Sequence, residues 1–268
     1  MAALFSLEGK IAVVTGTAQG VGLAVAKRFL AADAEAVIMV DINGKLGEEE
    51  AAKLNDKRAD FYQLNVTDEE GVKKLYEYIK GKYGRVDILS NNAGIIGPDQ
   101  PFEAVTSEEM HKIMEVNFFG YFHMIKYASP LMPNNSAIVN ICSVAGMAAF
   151  PGYTSYNSSK GAVMLLTKSA ALEMADRGIR VNCISPCTIE GPMAHAPGCE
   201  PELALVSCAV PLGRMCEPEE VAALIHFLAA PDCQMITGAN VAIDGGITGF
   251  CYGRGGERAW LKATGFTK

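Results

Sequence analysis

Tyr156 and Lys160 stand four residues apart in the run Tyr156-Asn157-Ser158-Ser159-Lys160, which puts both side chains on one face of a helix. An ammonium beside a phenol favours the phenolate, lowering a pKa that starts near ~10 toward the range where tyrosine takes or gives a proton. Ser143 ends an apolar run upstream and offers a hydroxyl to an oxygen on which negative charge develops. Together the three could serve proton transfer at a carbonyl or alcohol oxygen. An isolated Tyr-x-x-x-Lys is equally a buried tyrosine and a solvated lysine, so the surrounding elements decide.

Those elements begin at the other end of the chain. Residues 11–15 read as a buried strand, followed by Gly16-Thr17-Ala18-Gln19-Gly20-Val21-Gly22 and a helical run over 23–31. Glycines there allow a tight turn and bring backbone N–H groups to a pyrophosphate at a helix N-terminus. A second strand, 36–40, ends in Asp41, placed to take both hydroxyls of a ribose and to repel a 2′-phosphate. Ile42 follows it rather than a base, and Gln19 rather than a base sits in the glycine turn. The cofactor expected is therefore NAD(H) in preference to NADP(H).

Further strands are expected at 59–64, 86–90, 137–142, 179–184 and 240–243, with helices at 45–55, 68–83, 107–131, from the Tyr156 region to 176, and at 218–229. This alternation predicts a single α/β domain: a doubly wound parallel sheet of about seven strands with helices on both faces. Ligands bind beyond the C-terminal strand ends of such a sheet, where Gly16, Asp41, Asn91 and Ser143 all fall. The 268 residues, 50% hydrophobic and 20% charged, fit one compact unit, and the net charge of −7 disfavours a nucleic-acid partner.

On these residues the chain resembles the short-chain dehydrogenase/reductase family. The resemblance is carried by Thr15-Gly16 through Gly22, Asn91-Asn92-Ala93-Gly94, Asn117, Ser143 and the Tyr156/Lys160 pair, in family order from residue 10 to about 246. It implies a Rossmann fold and an NAD-dependent alcohol dehydrogenase activity. Tyr156 would be the proton donor or acceptor and Ser143 would orient the substrate oxygen. Lys160 would bind the nicotinamide ribose and lower the tyrosine pKa, while Asn117 would hold a water of the proton relay. Asn92, Ala93 and Gly94 would flank the cofactor. From the residues alone, Asn91 and Asn92 either serve that site or cap a turn.

Two departures stand out. Where the family reads Pro-Gly and then a threonine at the nicotinamide amide, this chain has Pro186-Cys187 and Gly191, so the contact passes to the backbone of Ile189. The third strand leads into Asn65-Val66 rather than Asp-Val, and an asparagine oxygen still accepts from an adenine amino group.

Over a core of residues 7–246, a loop at about 187–212 should cover the substrate. The expected pocket walls are Ile95, Ile96, Val144, Phe150, Tyr153 and Met193, with Pro197, Leu203, Leu205 and Val206. An apolar lining without Arg or Lys favours a neutral, fairly hydrophobic secondary alcohol or ketone, cyclic ones included. His195 either reaches a second substrate oxygen or lies in solvent. A 3-oxoacyl thioester reductase and a non-catalytic dinucleotide sensor are the alternatives; the second would be expected to lack Tyr156 or Lys160.

The eight cysteines are dispersed without a C-x-x-C pair, and the four histidines form no ligand-spaced cluster with them, which points to reduced thiols, no metal and a cytoplasmic protein. Cys142 and Cys187 flank the expected site, so thiol reagents are expected to inhibit there. No stretch reaches the ~18 apolar residues of a membrane span. The helices carrying Phe118, Phe119, Phe122 and Met164-Leu165-Leu166 are apolar on more than one face, as expected where one side meets another subunit of a dimer or tetramer. The extension 247–268, with Phe250, Tyr252, Trp260 and Phe266, is expected to pack on a neighbouring subunit and help close its pocket.

Overall fold

The computed structural model describes residues 4–195, 203, 206 and 209–249. Seven parallel strands form one sheet in the order β3-β2-β1-β4-β5-β6-β7: β1 (Ile11–Thr15), β2 (Ala36–Asp41), β3 (Ala59–Gln63), β4 (Ile88–Asn91), β5 (Ala137–Ile141), β6 (Arg180–Pro186) and β7 (Asn240–Ile243). The helices are α1 (Gly20–Ala31), α2 (Gly44–Leu54), α3 (Glu69–Tyr83), α4 (Ser107–Met114), α5 (Gly120–Ala128), α6 (Thr154–Glu173) and α7 (Pro218–Ala229).

Every residue of β1, β4, β5 and β6 is buried, as a sheet covered on both faces requires. Alternate residues of β1 serve the two layers. Ala12 and Val14 join the core beneath α1 and α7, while Ile11 and Val13 join the one built from α3, α5 and α6. The strand order reverses between β1 and β4, whose registers pair Ala12 with Ala59's neighbour Val37 on one side and with Ile88 on the other. A crevice opens beyond such a switch point.

Besides shifts of two or three residues at the ends of β4, β6 and α6, two elements differ from the sequence expectation. α1 begins at Gly20 rather than Leu23, because the glycine turn itself supplies the first helical turn. The single helix expected over 107–131 is α4 and α5 joined by a π turn, Glu115–Phe119, in which Gly120 N–H reaches back to Glu115 O, and it ends in the 3₁₀ turn Ser129–Leu131. One residue beyond the α-helical period leaves the run of apolar side chains intact, so the pattern does not betray it. Among the described residues no helix is long and apolar enough to cross a membrane. The expectations attached to Pro197, Leu205, Cys199, Cys208, Cys251 and the extension beyond residue 249 lie outside the described residues.

Candidate active site

A cleft of about 610 Å³ opens beyond the C-terminal ends of β1, β2, β4, β5 and β6. Gly16, Gln19, Gly20, Val21 and Gly22 line one end together with Asp41, Ile42, Asn65 and Val66. Asn92, Ala93, Gly94, Pro186 and Ile189 continue the wall, and Ser143, Tyr156 and Lys160 stand at the far end with Ile95, Val144, Phe150, Tyr153 and Met193. Ile96 and Val206 also line it; Leu203 and His195 do not.

The first end is built for close approach. A Cβ on Gly22 would fall 2.1 Å from Gly16 O, and one on Gly16, where φ is +73°, would fall 3.0 Å from Ala93 N. Only glycine fits either place. Gln19, the N-cap of α1, makes no side-chain cap bond and the first turn holds no acid, so the helix turns its free N–H groups to the cleft. Thr15 Oγ1 accepts from both Asn92 N (2.9 Å) and Ala93 N (3.1 Å), locking the β4 exit against the glycine turn. Asp41 accepts from Ala18 N through Oδ2 and from Asn43 N through Oδ1, each at 2.9 Å. The carboxylate is therefore held in one orientation, each oxygen keeping further lone pairs for a ligand. Asn65 Oδ1 accepts from Thr67 N at 3.1 Å and likewise keeps one.

At the other end, the exit of β6 meets Cys216 in an isolated parallel bridge centred on Ile189. Its two bonds run from Cys216 N to Thr188 O and from Glu190 N to Cys216 O, so the bridge uses neither the N–H nor the carbonyl of Ile189. Gly191 sits at φ +150°, a conformation that no threonine adopts easily, which gives a backbone reason for the departure there.

Lys160 is 2% exposed. Its Nζ donates to Ile141 O at 3.0 Å and lies 5.4 Å from the Tyr121 ring centre and 5.7 Å from that of Tyr156. Burial lowers its pKa to about 8, although the neighbouring Cys142 and Cys183 thiols oppose the shift. Ser143 accepts at Oγ from Ala145 N at 3.1 Å, a bond that leaves the hydroxyl hydrogen for another acceptor. α6 approaches β5 closely because Gly146 has no side chain: a Cβ would lie 2.8 Å from both Lys160 C and Cys142 Sγ.

Asn117 lies in the π turn, buried behind the cleft wall rather than lining it. Its Oδ1 accepts from Ile95 N and its Nδ2 donates to Ile95 O, both at 2.9 Å, with a further bond to Ser159 Oγ at 3.1 Å. Both amide hydrogens are thereby engaged, while Oδ1 keeps one lone pair for a further donor. Asn157 holds Phe150 similarly, donating to its carbonyl at 2.8 Å and accepting from its N–H at 3.4 Å.

Several lining groups have no sequence signal. Asp99 and Glu190 bring carboxylates into a cleft expected to be apolar, and Ile247 reaches it from beyond β7. His195 lies in solvent and pairs with Glu190 at 2.6 Å. Cys142 and Cys187 line the cleft, yet both are buried and burial raises both thiol pKa values. Burial thus disfavours the thiolate at both positions, which weighs against the expected sensitivity to thiol reagents.

Comparison with known proteins agrees with this architecture. The family profile described as enoyl-(acyl carrier protein) reductase matches residues 16–248. The chain belongs to the short-chain dehydrogenase/reductase family. It is 40% identical over 247 residues to the 3-oxoacyl-acyl-carrier-protein reductase FabG of Thermotoga maritima, covering 90% of this chain and 98% of that one. It is 34% identical over 248 residues to an NADP-dependent (R)-specific alcohol dehydrogenase of Lentilactobacillus kefiri, covering 90% and 98%. The ligand-free structure of the Thermoplasma acidophilum aldohexose dehydrogenase superposes with a TM-score of 0.81 at 32% identity, over 91% of this chain and 96% of that one. The protein is an oxidoreductase of this family, whose cofactor is a nicotinamide dinucleotide.

Proposed function

We propose that the protein oxidises a neutral secondary alcohol, or reduces the matching ketone, using NAD(H). The observation that carries the reading is the convergence of Ser143, Tyr156 and Lys160 at one end of a cleft whose other end presents a backbone-clamped Asp41. Among the described lining residues the one basic side chain is Lys160, so none at the Asp41 end pairs with a 2′-phosphate, and the carboxylate repels one.

The glycine turn would hold the pyrophosphate, Asp41 the adenosine ribose, Asn65 and Val66 the adenine region, and Ile189 the nicotinamide amide through its main chain. When bound, the nicotinamide accepts or supplies the hydride. Tyr156 takes the proton of the alcohol in oxidation and returns it in reduction, and Ser143 donates to the oxygen while charge develops on it. Lys160, charged below about pH 8, favours the phenolate of Tyr156. Asn117 braces the wall that carries Ile95.

Ile95, Ile96, Val144, Phe150 and Met193 supply apolar substrate contacts, while Asp99 and Glu190 discourage anionic substrates. The working unit is a core of residues 7–246, and of the segment 187–212 the described residues Cys187 to Ala194, Val206 and Val210 line the substrate end. The exposed Phe119 of the π turn, Phe122 on α5, and Leu165 and Leu172 on α6 support a homo-oligomer. The five buried free thiols among the described residues suit a reducing, cytoplasmic setting.

A second reading, reduction of a 3-oxoacyl thioester, is favoured by the identity to FabG. One panel separates the two: NAD⁺ and NADP⁺ with cyclohexanol, 1-phenylethanol, butane-2,3-diol and glucose, against NADPH with acetoacetyl-CoA. The expected result is fastest turnover of an alcohol with NAD⁺, and Tyr156→Phe should lower it by roughly 10²–10⁴-fold while NADH still binds. Faster reduction of acetoacetyl-CoA with NADPH would overturn the preferred substrate and cofactor, and an active Tyr156→Phe variant would overturn the role of Tyr156.

A further inference from the structure

α6 enters the site without a cap of its own. Its N-cap, Tyr153, makes no side-chain cap bond, and its first turn holds no acid. A carboxylate arrives from α4 instead. Glu109 Oε1 accepts from Ser155 Oγ at 3.2 Å and Glu109 Oε2 accepts from Gln100 Nε2, while Glu109 N–H is itself anchored on Thr106 Oγ1. A Cβ on Gly97 would lie 3.1 Å from Glu109 Oε1, so the segment 95–100 runs directly over the carboxylate. Gln100 N also donates to Gly152 O at 3.1 Å, just before α6.

The arrangement parallels the one at Asn117. Asn117 grips Ile95 at one end of the segment and reaches Ser159 on α6. Glu109 grips Gln100 at the other end and reaches Ser155. The two serines bracket Tyr156 on the same helix, and the segment between the grips contributes Ile95, Ile96 and Asp99 to the cleft. Two polar rungs thus tie one cleft wall to the helix that carries the tyrosine.

We propose that Glu109 is a positioning residue: its paired bonds to Gln100 and Ser155 set the gap between the 95–100 wall and Tyr156, and thereby the aim of the phenol at the substrate oxygen. The inference rests on the reading of Tyr156 as the acid–base group. Its charge also faces the N-terminus of α6, where the helix dipole favours an anion.

The hydrogen-bond chemistry suggests a reciprocal exchange. Gln100→Glu sets carboxylate against carboxylate. Combined with Glu109→Gln, it restores both bonds, since an amide at 109 donates to the new carboxylate and accepts from Ser155. With whichever panel alcohol the wild type oxidises, Glu109→Ala and Gln100→Glu should each lower kcat/KM about tenfold or more, leaving NADH affinity within about twofold. The double variant should recover to within about threefold of wild type, and Ser155→Ala, a small change if the others misfold, should fall between. Hydrogen exchange of the amides of Ile95, Ile96, Gly97, Asp99 and Gln100 and of residues 153–157 in the NADH complex reads the same gap without an alcohol. It should quicken in both segments together in the single variants and slow again in the double. Wild-type kinetics and exchange in Glu109→Ala, or a double variant no better than Gln100→Glu, would overturn the proposal. Tyr156→Phe, measured alongside, separates this from a failure of the catalytic reading: if that variant stays active the tyrosine's role falls, whereas the exchange data still judge the rung.

Discussion

At the scale of single residues, the apolar burial of Lys160 sets function against stability. With its pKa lowered to about 8, the folded protein holds this proton less tightly than the unfolded chain, whose lysine titrates near ~10.5. The group's contribution to stability is therefore full above about pH 10.5, is lost as the pH falls, and is gone below about 8. At neutral pH the charged amine is a burden. Ile141 O, its acceptor, also receives Tyr121 OH at 3.3 Å and would not be orphaned by its removal. Lys160→Met should then stabilise the cofactor-free protein by on the order of 1–2 kcal/mol near neutral pH while turnover is lost, and the gain should shrink toward pH 10. Urea unfolding of both proteins at the two pH values checks this; a gain that does not vary with pH would contradict it. The spacing of Tyr156 and Lys160 was legible in the sequence because one helix sets it. Glu109 was not, since its bond to Ser155 crosses 46 residues of chain and depends on how two helices meet.

Among the elements, the turn from β1 into α1 is packed backbone against backbone. Gly22 and Gly20 differ in kind: a Cβ on Gly22 would collide with Gly16 O, whereas Gly20 faces open space and is constrained only by its φ of +58°. Gly22→Ala should cost about 1–3 kcal/mol or more by overpacking and should weaken NADH binding. Gly20→Ala should cost about 1–2 kcal/mol, the strain of a left-handed residue. Urea unfolding with NADH fluorescence titration ranks the two, and equal losses would refute the distinction. Strands and helices were readable here because apolar runs and glycine turns are local. The π turn was not, as an extra residue inside a helix alters backbone bonds rather than polarity. Its effect is on the site: it sets Asn117 against Ile95 and Ser159.

For the whole molecule, the uncovered apolar surface on α5 and α6 is the feature with a macroscopic readout. Leu165 is 66% exposed and Leu172 81%, positions at which an isolated chain would leave large aliphatic groups in water. Leu165→Glu should shift the mass measured by light scattering from an oligomer toward the monomer, and a monomeric wild type would remove the basis for the proposal. Composition and strand alternation were sufficient for the class of sheet. The electrostatics of the cleft were not legible, because Asp99 and Glu190 reach it from loops whose course no periodicity describes.

The strand order also bears on how the molecule comes into being. β1 completes its pairing only when Ala12 meets Ile88, and the last partners, Cys183 and Asn240, lie far along the chain. Pairings between such distant residues make folding slow. The cleft draws on residues from Gly16 to Ile247, so no partial chain emerging from a ribosome presents a finished site. On the cofactor residues proposed above, a dinucleotide has nothing complete to grasp until β6 and its exit at Ile189 are in place. It then adds stability by mass action, and it does so by retarding unfolding rather than by hastening the search that precedes it.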